Sequence, residues 1–355
     1  MNVLRGSLAI TALLVWCGLA RAATAPVPLP QLALYQGADR DKVILEGAKK
    51  EGQVVLYNSH TWFKSVAQEF EKKYPFIKVS EWRAEGPDIV KRSIEESRAN
   101  RNIVDVLEST EANIGTIHKA GLLQEHYSPE QRYFDDEVLS KGKRGGVFYW
   151  ADRELYISLG FNSSVIPASA APKNLQDLLD PKWKGKMGVL GSSVFARWLG
   201  AVLDLVGKEY VEKLSRQDLS IHRVSGAGLA TMMASGEVPL SPTMFDSNVY
   251  VVRRSGAPVE WRPIEPTVAN VGYSGLAAKA PHPYAGLLLL DYLHSKEGQQ
   301  FIAKGGLSSP RDDVESLVPQ KFKKTYLEAK YSLDEYEKKF DEWQDLIQKL
   351  FVKKK

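Results

Sequence analysis

The strongest constraint in this sequence is a unit repeated along its first third: a short apolar run, a polar turn, then an amphipathic stretch. Residues 53–57 form an apolar run that ends at Asn58-Ser59-His60-Thr61. Val66, Phe70 and Tyr74 follow at four-residue spacing, which stacks them on one face of a helix that stops before Pro75. Residues 78–82 make the next strand-like run, and Glu85-Gly86-Pro87 opens a helix through Ile89 and Ile94. A third run, 103–107, ends at Glu108-Ser109-Thr110-Glu111, and a helix over 39–50 precedes the series. Strand, polar turn and helix in repetition predict a parallel α/β sheet.

A second unit of the same kind begins across residues 151–190. Leu155 to Phe161 alternates like a strand, Pro167 and Pro172 make a turn, and a short helix over 174–179 is stopped by Asp180-Pro181. Lys182-Trp183-Lys184-Gly185-Lys186 leads into a strand at 187–190, which ends at Gly191-Ser192-Ser193. A helix carrying Trp198, Val202 and Leu205 comes next, then a helix at 226–235 and a strand at 238–243. Residues 259–263 and 268–272 are expected to recross to the first unit, and 284–304 to form one long helix. Ser332-Leu333-Asp334-Glu335 is a capping box. It starts a helix with an apolar stripe (Tyr336, Phe340, Trp343, Ile347, Leu350) that is expected to pack on the first lobe. Three heptads are marginal for a coiled coil.

The N-terminus is of another kind. Arg5 precedes an apolar run over 7–20, and Ala20-Arg21-Ala22 has the small-x-small form of a cleavage site. Residues 1–22 therefore read as a secretory signal peptide. A lipid anchor at Cys17 needs a small residue before the cysteine, and Trp16 stands there. Cleavage after Ala22 removes two arginines, so the formal charge of +4 becomes +2, and it removes the single cysteine. The exported chain then has no disulfide and depends on its core. So small a charge does not predict nucleic-acid binding.

Residues 162–186 carry a resemblance. Asn162, Pro172, Leu175 to Leu179 and Asp180-Pro181-Lys182-Trp183-Lys184-Gly185-Lys186 are similar to the segment after the hinge strand in solute-binding proteins of ABC importers. The group meant is the two-lobed one that includes ferric-iron, thiamine, polyamine and phosphonate binders. Gly236-Glu237-Val238-Pro239 and Ser295-Lys296-Glu297-Gly298-Gln299 extend the likeness, which covers about 52–311. It implies two Rossmann-like α/β lobes joined by a strand hinge, the type 2 periplasmic-binding fold. Lobe 1 is then 26–157 plus 268–355, and lobe 2 is 158–267. It further implies a periplasmic monomer that captures a small solute without making or breaking a bond. The partners are an ABC permease and its ATPase at the inner membrane; no cofactor is implied.

In such sheets ligands bind beyond the carboxyl ends of the strands, where helix N-termini present unpaired N–H groups. That rule selects Ser59, His60, Thr61, Ser109, Thr110, Ser192, Ser193 and Asp246. The serines and threonines have an alternative role as helix caps. Tyr250 and Tyr273 are expected to flank an organic solute or to pack in the core, and Arg197 to meet an anion or a surface acid. In ferric-iron members a histidine in the first turn is a metal ligand, the place His60 holds, and two consecutive tyrosines complete the set. Here the matching stretch is Asn248-Val249-Tyr250-Val251, with one tyrosine. A small organic or anionic solute is thus the first reading and ferric iron, through His60 and Tyr250, the second. A secreted hydrolase is the remote third: Gly272-Tyr273-Ser274-Gly275-Leu276 lacks the final glycine of a nucleophile elbow.

Overall fold

The computed structural model describes residues 27–191, 193–315 and 322–352. The expected signal peptide over residues 1–22, Cys17, Ser192 and the terminal lysines lie outside them. Helices α1 (Leu29–Ala33) and α2 (Arg40–Glu51) lead in. Gly52 ends α2 in the left-handed conformation (φ 67°), which costs glycine little, and turns the chain directly into a strand. The alternation then runs β1 (Gln53–Asn58), α3 (Phe63–Lys73), β2 (Lys78–Arg83), α4 (Gly86–Arg98), β3 (Val106–Thr110), α5 (Glu111–Lys119). Strands β1, β2 and β3 are mutually parallel, with β1 in the middle. Phe63, Val66, Ala67 and Phe70 make the buried face of α3, at helical spacing.

Short strands β4 (Leu123–Gln124) and β5 (Leu139–Lys141) precede β6 (Val147–Asn162), a strand of 16 residues. The second lobe holds β7 (Gly188–Leu190), α6 (Ser193–Ser215, broken at Gly207), β8 (Ser220–His222), α7 (Gly226–Ala234), β9 (Leu240–Phe245), α8 (Asp246–Arg254) and β10 (Val259–Arg262). Strand β11 (Thr267–Ala277) returns antiparallel to β6, from Val268 opposite Ile157 to Ser274 opposite Trp150. Both strands serve two cores. Trp150, Ala151 and Tyr156 of β6 lie in the first core, and Ile157, Leu159 and Phe161 in the second. On β11 the change falls between Val268 and Ala269. The molecule is therefore two α/β lobes that share, among the described residues, a ten-stranded sheet, with β7 and β8 a separate parallel pair in the second lobe and β6 and β11 as the hinge.

Two expectations are corrected. The single helix over 284–304 is two, α9 (Pro283–His294) and α10 (Lys296–Lys304). Ser295 breaks them: its backbone is extended and its hydroxyl accepts the Gly298 N–H at 3.1 Å, the geometry of an N-cap. After β12 (Lys324–Thr325), which pairs with β11, comes α11 (Leu333–Leu350). This helix packs on the second lobe, not the first: Tyr336, Trp343, Ile347 and Phe351 join the second core. An apolar stripe tells that a helix has a buried face but not which partner covers it. The partner is α6, where Gly200 leaves room for the Trp343 indole; a Cβ there would stand 2.5 Å from the ring. No helix among the described residues is long and apolar enough to cross a membrane. Trp343→Ala should therefore destabilise the second lobe by about 3–5 kcal/mol, read as a lower urea midpoint; an unchanged midpoint would contradict this packing.

Candidate functional site

The first wall of the site stands at the end of β1. Ser59 donates its backbone N–H (2.7 Å) and its hydroxyl (3.1 Å) to the Glu108 carboxylate of β3. Glu108 is fully buried and pairs with Arg153 of β6 at 2.7 Å. Arg153 can cross β11 only because residue 272 is glycine: a Cβ there would stand 1.9 Å from its Nη1. Beside the pair Asp152 is also buried; burial first, then Glu108, push its carboxyl well above the usual range. Removing one partner of such a pair leaves a buried charge uncompensated, so this turn is held rigidly. His60 comes next, its Nδ1 accepting the Trp62 N–H at 3.3 Å. Burial, then Arg153 and Arg83, lower its pKa to about 3, so the imidazole is neutral at physiological pH.

The second wall stands at the ends of β7 and β9. They are tied where the Leu190 N–H donates to the Thr243 hydroxyl at 3.1 Å. Helices α6, α7 and α8 all start there. The α7 and α8 starts touch, with Asn248 Oδ1 placed 2.1 Å from where a Cβ on Gly226 would be. Arg223 is exposed and lies along Gly191. Asp246 faces the hinge: its carboxylate accepts the Tyr156 N–H (2.9 Å) and the Ser308 hydroxyl (3.2 Å), and burial raises its pKa to about 7. The walls meet at two consecutive glycines. Trp62 of the first lobe packs on Gly305, and Tyr250 of the second packs on Gly306.

A third approach of the lobes lies at the start of α5. Ser109 is fully buried with no hydrogen-bond partner for its hydroxyl among the described residues. Thr110 accepts from Asn113 Nδ2 at 3.0 Å, and neither residue caps the helix. The Ala112 N–H instead donates to Glu328 at 3.0 Å, and Glu328 pairs with Arg197 of α6 at 3.3 Å. Next to them Glu111 accepts the Tyr273 hydroxyl at 3.4 Å; burial, then the Glu328 charge, raise its pKa to about 7.

Of the residues selected from sequence, Ser59, His60 and Thr61 line the first wall, with Ser109 and Thr110 at the neighbouring strand end. Ser193, Asp246 and Tyr250 belong to the second wall. Tyr273 is placed otherwise: it is 1% exposed, packed edge-on against Tyr149 in the first core, so it has no surface for a solute in this conformation. Arg197 meets an acid that is buried and not at the surface. Sequence reasoning missed the Glu108–Arg153 pair, Arg83 and Glu328. The one available signal was Arg153-Glu154 inside a strand otherwise buried on both faces, since such charges are buried only when paired.

The raised Glu111 pKa has a sign. The folded state holds this proton more tightly than the unfolded chain, whose carboxyl titrates near 4.5. Stability is therefore lost as pH rises from 4.5 to about 7, and the full cost stands above that. Glu111→Gln removes the cost. The variant should match the parent protein near pH 4.5 and exceed it by on the order of 2–3 kcal/mol at pH 8, measured from urea midpoints; a gap independent of pH would contradict the assignment.

The sequence pattern of a family described as bacterial extracellular solute-binding protein matches residues 114–333. No curated protein matches the chain. Among solved structures it is similar to iron-bound HitA from Pseudomonas aeruginosa: TM-score 0.65, 20% identity, over 82% of this chain and 99% of that one. The Trichodesmium protein IdiA (FutA), solved with iron and citrate, gives a TM-score of 0.66 at 19% identity, over 85% of this chain and 100% of that one. AfuA from Actinobacillus pleuropneumoniae, solved with fructose-6-phosphate, gives 0.65 at 23% identity, over 85% and 100%. At these identities the likeness to solved structures is one of fold.

Proposed function

This chain belongs to the family of bacterial extracellular solute-binding proteins, and we propose that it captures a small anionic organic solute between its lobes for delivery to an ABC permease. The observation that carries the reading is the charge around the first wall. Burial first, then the Arg153 and Arg83 charges, hold the His60 ring neutral, so two guanidinium groups bear on this wall even though Arg153 is paired with Glu108. Arg223 stands exposed at the other wall, beside the start of α6. Guanidinium groups and helix N-termini together favour an anion. They oppose a trivalent cation by simple repulsion.

Ferric iron is the second reading, because His60 is neutral and two of the structural relatives were solved with iron, though the one ring lone pair, on Nδ1, accepts the Trp62 N–H here. Against it stands Val251, where a second phenolate oxygen would be wanted. A thermal-shift screen separates the two, since ligand at 100 times its Kd stabilises by about 2.7 kcal/mol. Carboxylates or phosphorylated compounds should raise the melting temperature, and protein incubated with ferric citrate should stay colourless. A coloured protein with stoichiometric iron, bleached by Tyr250→Phe, would restore iron.

Export follows from the same reading. Cleavage is proposed after Ala22, so the mature N-terminus should lie at Ala23 or within about three residues of it. Protein sequencing that returned Met1, or an acylated Cys17, would refute this.

A further inference from the structure

The C-terminal segment carries a contact that the solute reading does not use. Its anchors are in the second lobe: Leu327, Tyr336 and Trp343 are buried in the second core. Its one carboxylate at this junction, Glu328, reaches the other way. Oε2 accepts the backbone N–H of Ala112 at 3.0 Å, in the first turn of α5, whose Ile114 and Ile117 belong to the first core. Oε1 is 3.3 Å from the Arg197 guanidinium on α6 and 3.4 Å from the Tyr336 hydroxyl. Glu328 and Arg197 are only 12% and 18% exposed. The segment leading to it is tied to the hinge itself, through β12 on β11 and through Lys324 and Tyr326, both 2.8 Å from Glu154 of β6.

We propose that Glu328 is a built-in hook: an acid held by the second lobe that grips the start of α5 in the first lobe and biases the empty protein toward closure. The chemistry is that of an anion at a helix N-terminus, where unpaired N–H groups and the helix dipole both favour negative charge. The α5 start has no side-chain cap of its own, so the hook fills a position that Thr110 leaves open. Arg197 and Tyr336 fix the carboxylate before it meets Ala112, so little side-chain freedom remains to be lost on closure. Glu328 is thus a positioning residue for capture. A protein already biased toward the closed arrangement loses less of its ligand affinity to the conformational change. It also bars an acidic group of the solute from the α5 start, as Asp246 does at the α8 start, leaving the α6 start to receive it.

Small-angle scattering of the solute-free protein tests this, so its outcome is independent of which solute is captured. Glu328→Ala should show a larger radius of gyration than the parent. Acetate supplied in the buffer should reduce it again by replacing the missing carboxylate, while leaving the parent unchanged. Amide exchange at Ala112 should quicken in Glu328→Ala and slow with acetate. Glu328→Gln keeps an acceptor for the Ala112 N–H but loses the charge that holds Arg197. It should lie between the two, and it decides the matter if the alanine variant does not fold. Radii equal to the parent's in both variants, or an expansion that acetate does not reverse, would overturn the hook and leave Glu328 as a local brace for α11.

Discussion

The structure depends on the pairing of β6 with β11. Each strand passes from one core into the other, and their antiparallel ladder runs unbroken over the crossing. A chain that joins two lobes through the open would expose unpaired backbone groups or need a loop to cover them. Here the crossing is made inside a sheet, so the backbone stays satisfied while the lobes remain free to change angle. The lobes then hang from the same two strands, and the ends of their own parallel strands approach one another. That is why Trp62, just after the first turn of one lobe, and Tyr250, on α8 of the other, both reach the Gly305-Gly306 pair.

Charge buried beneath those turns gives the site its rigidity. Arg153 serves Glu108 and lies beside Asp152, and Ser59 rests on Glu108 through two hydrogen bonds. The same guanidinium helps hold His60 neutral. One buried cation therefore braces the first turn and adds to the burial that keeps the following residue neutral. On the other wall Asp246 does comparable work for the hinge, linking β6, α8 and the segment at Ser308. Its carboxylate is spent on backbone and hydroxyl donors, which makes it a brace as much as a solute contact.

Two of the contacts between the lobes are dissimilar in kind. At one, Leu155, Ile302 and Leu307 form a small apolar cluster with Trp62 and Phe245 against it. At the other, Glu328 spans α5 and α6 beside Ala112, whose side chain packs against the second core. Apolar contacts tolerate sliding because they have no preferred direction, whereas a carboxylate on a backbone N–H holds only over a narrow distance. The first contact suits a pivot and the second a latch.

Much of this was legible in the order of residues. Apolar periodicity placed most of the main strands and helices, because local spacing alone decides which side chains share a face, but it missed the short strands β4, β5, β8 and β12 and set β3 three residues early. The strand ends named Ser59, His60, Thr61, Thr110, Ser193 and Asp246 for the same reason. One error was local: the break at Ser295 turned on one side-chain cap, and a run of leucines concealed it. The others arose where a choice was not local. Tyr273 was indistinguishable from a cleft aromatic until β11 was seen to carry it into the first core. The stripe on α11 announced a buried face, yet only Gly200 on α6, over a hundred residues earlier, determined what it would meet. Glu328 and Arg197 could not be paired from sequence at all, since nothing in their spacing brings them together. Sequence by itself determined the class of fold and most of the strand ends, each a consequence of short-range pattern, whereas Ile157 and Val268, assigned to lobe 1 from sequence, lie in the second core. The tertiary structure decided which charges are buried in pairs and which lobe the C-terminal helix joins, because those depend on contacts between segments remote along the chain.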